Sequence, residues 1–324
     1  MEKARQYSAL MFSDERYNFD NPDELYSHLR LSNFGVWGID GRSRWVFRGQ
    51  ACADWQYLPS AWRHTAQNYL EPWVTTATHI IQKRLSRIKN VGSKYFDFSS
   101  IDVDHYVRAR AQAVSELQAI QQFSKLRTLN FPADPWRLQN KDFLSDAHFD
   151  QPDHDFPQYL PEDITALAQH HGVPTRLLDW SEDPLVALAF CVFDIEQADA
   201  DAELCALDSM SLKVAQDTRG TYTPFVWQFK CNPTHNAFSF SQKSFHTYIQ
   251  YAEIYYVEHG CWPDHLELGF TQGAAIRKFA IPKDWKRHLA RKLWSDGYDP
   301  VSLLPNLDGV GKAAAVWARI IRRS

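Results

Sequence analysis

At 324 residues the chain is long enough to bury a large core, and 44% apolar with 23% charged residues excludes extended disorder. A net charge of −4 supplies no global attraction to nucleic acid, and five scattered cysteines, an odd number, do not make a disulfide framework. The longest uninterrupted apolar run, Leu185 to Phe193, is too short to span a bilayer, so no membrane partner is expected. No apolar segment precedes a cleavage site near Met1, and the expectation is a cytoplasmic protein in a reducing compartment.

In chain order, residues 22–32 read as a short amphipathic helix, with Pro22 and Asp23 ahead of Leu25, Leu29 and Leu31. Arg44 to Arg48 reads as a strand ending at Gly49. From about 71 to 127 the pattern is helical, with Val103, Val107, Val114, Leu117, Ile120 and Phe123 near helical spacing. Residues 130–161 are rich in Pro, Asp and aromatics and predict a long irregular connection. A helix at 162–169 then leads through His170-His171-Gly172 into a short buried strand at Thr175–Trp180. Asp183-Pro184 predicts an N-cap and first helical position for an interior helix running to about Phe193. Strands are expected at 224–230, 253–258 and 274–281, a helix at 283–295, and a C-terminal segment from Gly297. The sum is an α+β domain.

Several side chains need an explanation. Arg176 falls in the buried strand and requires a partner, either a carboxylate such as Asp179 or a phosphate. Arg48 sits before a glycine that lets a backbone or a ligand approach closely, and its guanidinium suits bidentate anion binding. Asp179 and Ser181 end a strand beside a helix N-terminus, which favours anions. Lys286, Arg287, Arg291 and Lys292, with Arg319, Arg322 and Arg323, form basic clusters, read either as solvated helix faces or as a phosphate patch. Twelve tryptophans are mostly core or pocket wall.

Phe47-Arg48-Gly49-Gln50, followed by Trp55, Leu58-Pro59-Ser60 and Arg63, resembles the opening of the FRG domain family. The run His170 to Trp180 (His-His-Gly, then Pro-Thr-Arg-Leu-Leu-Asp-Trp) resembles the family's second hallmark, and weaker echoes lie at 116–123, 278–282 and 303–309. The resemblance covers about residues 40–312 of a single domain, with a helical and irregular insertion at about 71–160. It implies a fold like that of the ADP-ribosyltransferases, a mixed sheet of short strands surrounded by helices, with NAD as co-substrate. It further implies that Arg48 clamps the pyrophosphate, with Gln50 beside it in the motif. His171 and Trp180 would wall the nicotinamide side, while Thr175, Arg176, Asp179 and Ser181 organise the pocket. Glu258, in Glu258-His259-Gly260-Cys261-Trp262, stands where the family often has an amide and would be the catalytic carboxylate; Glu253 is the alternative, and Thr271-Gln272-Gly273 a competing alignment that leaves the site without a glutamate.

The implied activity is mono-ADP-ribosylation of a macromolecular acceptor (RNA, DNA or protein), as the toxin of a toxin–antitoxin or anti-phage system neutralised by an antitoxin protein. A non-catalytic module sensing a nucleotide or phage component, and an NAD glycohydrolase, are rival readings. Two further chemistries rest on residue types alone. Cys231 and His235 with His259, Cys261 and His265 include metal-ligand types, and His170 or His171 with Asp179 would suit a general base.

Overall fold

The protein is described from a computed structural model, for residues 14–38, 44–63, 67–93, 95–130, 162–217, 223–231 and 237–321. The connection expected at 130–161 lies, beyond Asn130, outside the described residues, as do His235, Arg322 and Arg323.

Seven strands are present: β1 (Asp14–Tyr17), β2 (Trp45–Gln50), β3 (Leu178–Ser181), β4 (Ala202–Asp208), β5 (Phe225–Phe229), β6 (Ser244–Gln250) and β7 (Ile276–Ile281). They form one open sheet in the order β1-β7-β4-β2-β3-β6-β5. Only β1 and β7 run parallel; every other neighbouring pair is antiparallel. The helices of the first half are α1 (Pro22–Leu29), α2 (Phe34–Trp37), α3 (Gln67–Val91), α4 (Val103–Asn130), α5 (Glu162–His170) and α6 (Pro184–Val192). Those of the second half are α7 (Ser209–Asp217), α8 (Ala237–Ser241), α9 (Ala252–His259), α10 (His265–Thr271), α11 (Lys283–Ser295), α12 (Pro300–Leu303) and α13 (Leu307–Val316). The α+β expectation holds, and among the described residues no helix is long and apolar enough to cross a membrane.

Alternation along β2 sorts the two faces of the sheet. Trp45 and Phe47 join the core formed with α1, α6 and α11, whereas Val46 joins the opposite core with α4, α5 and α10. Gly49 belongs to the first face, where the backbone of α6 comes so close that a Cβ would meet Ala187 O at 1.9 Å. The glycine after Arg48 therefore admits a helix backbone rather than a ligand. Arg48, one position earlier, projects from the opposite face. Asp183 caps α6 through its carboxylate on Leu185 N at 2.9 Å, with Pro184 at the first position, as the sequence implies. A third apolar cluster joins α3, α4 and α9 into a helical layer beyond the second face.

Two expected strands are corrected. Residues 253–258 form the body of α9, because Ile254, Tyr256 and Val257 pack against α3 and α4 and Gly260 closes the helix at φ 71°. That packing overrides the preference of aromatic and β-branched residues for strands. The strand expected at Thr175–Trp180 begins only at Leu178, because Thr175 O already accepts from Ala61 N (3.0 Å) and Ser60 Oγ (3.2 Å). The pattern also left β1, β4 and β6 unassigned.

Candidate functional site

The turn after β2 is strapped to the turn before β3. Ser60 Oγ donates to Thr175 O and accepts from Thr175 N at 3.0 Å, and Thr175 Oγ1 donates to Gln169. Arg48 Nη1 reaches across to donate to Asp179 O at 2.7 Å. Two segments more than a hundred residues apart thus close around one cavity of about 420 Å³. Its walls come from Arg48 on β2, Arg63 and Ser60 in the following turn, Tyr69 on α3, Gln169 on α5, Gly172–Pro174, and Asp179 on β3.

The cavity holds two cationic groups and one anionic group. Arg63 donates through Nε to Leu58 O at 2.9 Å, but its terminal nitrogens have no partner among the described residues. Arg48 Nε is buried and likewise lacks a hydrogen-bond partner. Burial and the neighbouring Arg48 charge pull the Arg63 pKa down to about 10, which leaves it cationic at neutral pH. Burial also lowers Arg48, although Asp179 opposes that shift. Asp179 lies opposite, its side chain 41% exposed, with Gln169 Nε2 donating to Oδ2 at 2.5 Å and His246 Nδ1 3.0 Å from Oδ1. Burial pushes its pKa up, but the bond and charge of His246, with His170 and Arg48, hold it well below the usual carboxylate range. Asp179 is held as an anion at neutral pH, and the charged residues that line the cavity are two arginines against that one carboxylate. That is the electrostatic form of a phosphate or carboxylate receptor.

The other candidate residues divide differently. Arg176 is fully buried and ion-paired to Glu116 (2.8 Å) and Glu253 (2.9 Å), with its guanidinium 5.8 Å from the Trp62 ring. Burial opposes its charge, yet those two carboxylates raise its pKa above the usual value. Its partner is a carboxylate pair, and Glu253 is engaged there. Trp180 is core, donating from Nε1 to Thr247 Oγ1 at 2.9 Å. Ser181 is buried at the end of β3, donating to Gln242 O and accepting from Asp183 N. Gln50 is buried, donating to Trp55 O at 3.0 Å. Thr175 is buried directly behind the cavity wall. His171 is exposed and lies against Phe123 and Phe238.

Glu258 is exposed at the end of α9 and is not among the cavity's lining residues. In the same run Gly260 lies close to the His105 ring, and Trp262 stacks on Trp62 at 4.6 Å. His265 is fully buried, and burial followed by the Arg48 charge lowers it to about 3, so it stays neutral. Among the described residues no three His, Cys, Asp or Glu side chains are placed to hold a metal ion.

The basic cluster of α11 is largely occupied within the fold. Lys286 Nζ donates to Ala51 O (2.7 Å) and Gln197 O (2.6 Å), Arg287 Nε to Ile320 O, and Lys292 pairs with Asp23. Sequence reading gave no role to Arg63, Gln169 or Tyr69. Arg63 was legible as part of the first motif, and Gln169 as the residue before His170. Tyr69 carried no signal of its own.

Fold and site together define an α+β domain with an arginine-lined cavity beside its central strands. A family model described as the FRG domain matches residues 43–200, a span that contains both strapped segments and every cavity residue, so the chain carries an FRG domain there. Neither a curated protein nor a solved structure matches the chain.

Proposed function

We propose that the domain binds NAD, with its pyrophosphate between Arg48 and Arg63, and transfers ADP-ribose to a macromolecular acceptor. The observation that carries this reading is a pair of guanidiniums, each bonded to one backbone carbonyl and neither ion-paired among the described residues, that share one cavity with the Asp179 carboxylate. Guanidinium forks suit phosphate by their donor chemistry, and the cavity, at about 420 Å³, lies within the 300–1,000 Å³ typical of small-molecule sites. In transfer, the bond from ribose C1′ to the nicotinamide nitrogen breaks and a bond from C1′ to an acceptor nucleophile forms. Asp179 is the anion in the cavity suited to the positive charge that develops on the ribose. Tyr69 supplies an aromatic face at the cavity wall. The same resemblance that names NAD supports a toxin-like role with a neutralising partner protein.

A second reading is a nucleotide sensor without turnover, and the exposed position of Glu258 favours it. The decisive experiment incubates the purified chain with NAD labelled in its adenylate half together with cellular RNA, DNA and protein. Transfer predicts label in one macromolecular fraction and free nicotinamide, both lost in Arg48→Ala and Arg63→Ala. Binding without release of nicotinamide supports the sensor, whereas nicotinamide release without labelled acceptor supports a glycohydrolase. No NAD binding by folded protein overturns all three.

A further inference from the structure

A second, larger recess adjoins the NAD cavity, and Arg63 lines both. This groove measures about 890 Å³ and runs between α3 and α4 on one side and residues 255–267 on the other. Trp62 and Trp262 lie face to face in its wall, 4.6 Å apart and 10° from parallel, Tyr256 packs against Trp262, and Tyr255 lines the groove stacked on His259.

Its charge is opposite to that of the NAD cavity. Glu71, Asp104, Asp264 and Glu267 line it against Arg63 and Arg108, an excess of two negative charges (four against two). Asp264 is occupied, accepting from the backbone N–H groups of Tyr57, Leu266 and Glu267. Asp104 and Glu267 are exposed, and their carboxylates have no ion-pair or hydrogen-bond partner among the described residues. Burial raises the Tyr255 pKa, and negative charge from Cys261, Glu267 and Asp264 raises it further. A phosphate backbone entering the groove meets repulsion, whereas a cationic side chain meets free carboxylates and aromatic rings.

We propose that this groove binds a cationic polypeptide segment, presenting an arginine or lysine side chain beside the NAD cavity. The groove has about twice the volume of its neighbour, and Arg63 marks where the two meet. Calling the peptide an acceptor rests on the NAD-transfer reading; binding of the peptide does not.

The test measures fluorescence anisotropy of a labelled hexa-arginine peptide, a hexaglutamate peptide and a ten-residue oligouridylate with the full chain. Hexa-arginine binds, hexaglutamate does not, and Asp104→Lys with Glu267→Lys weakens binding at least about tenfold, since each reversal removes an attraction and adds a repulsion. Reversal of an exposed carboxylate on α13, which packs on the opposite face of the sheet, Asp308→Lys, changes it less than about twofold. Equal weakening by both sets, absence of hexa-arginine binding, or tighter oligouridylate binding overturns the proposal. In Arg48→Ala the peptide still binds while NAD does not, so failure of the NAD reading and failure of this one are separate results.

Discussion

Replacing Arg176 by Met separates a structural guanidinium from a ligand-binding one. In the wild type its charge is enclosed by Glu116 and Glu253, and the side chains of Arg176 and Glu116 are both 0% exposed. Methionine keeps much of the volume but leaves two carboxylates facing each other without a cation. Removing one partner of a buried ion pair costs about 3–5 kcal/mol. With an unfolding entropy of about 2.1 cal/mol/K per residue, a chain of this length loses roughly 4–7 °C in Tm. Thermal unfolding followed by circular dichroism reads this directly. Adding Glu116→Gln and Glu253→Gln to Arg176→Met removes the stranded charges and restores part of the loss. A single variant within about 1 °C of wild type that nevertheless loses NAD binding refutes the reasoning and returns Arg176 to the ligand.

Gly49→Ala forces a Cβ to within 1.9 Å of Ala187 O, so β2 and α6 must separate; a loss of at least about 2 kcal/mol is expected in urea unfolding. Asp183→Ala removes the α6 cap together with its bonds to Lys243 (2.6 Å) and Tyr298 (3.1 Å), costing about 1–3 kcal/mol by the same assay. Affinity for NAD, measured by calorimetry, holds from pH 6 to 9, because Arg63, although burial and the neighbouring Arg48 charge lower its pKa, stays cationic throughout; a fall of more than about threefold within that range counts against the two-arginine site. Asp179 adds no acid limb in that range, since it is ionised throughout. Glu258→Gln leaves NAD binding within about twofold of wild type, given its exposed position outside the cavity; a large loss returns Glu258 to the site.

Much of the site was legible because its motifs are local. Asp183-Pro184 announced a capped helix, an apolar run announced that helix as interior, and Phe-Arg-Gly marked a close approach next to an arginine. Each signal depends on neighbours in the chain, which one sequence displays. Residues 253–258 were misread for the converse reason: their aromatic and β-branched content suits a strand, and packing on α3 and α4 makes them a helix.

What the sequence determined by itself was the α+β class, the helical character of residues 71–127, and the two segments that carry the FRG resemblance; that this stretch is two helices, Gln67–Val91 and Val103–Asn130, is seen only in the structure. Only the tertiary structure decided which of their side chains share a cavity. Arg48 and Arg176 look alike as arginines in buried strands, yet one meets a free recess and the other a pair of carboxylates from α4 and α9. The physical reason is that a charge is defined by its partners, and here they lie 60 and 77 residues away along the chain.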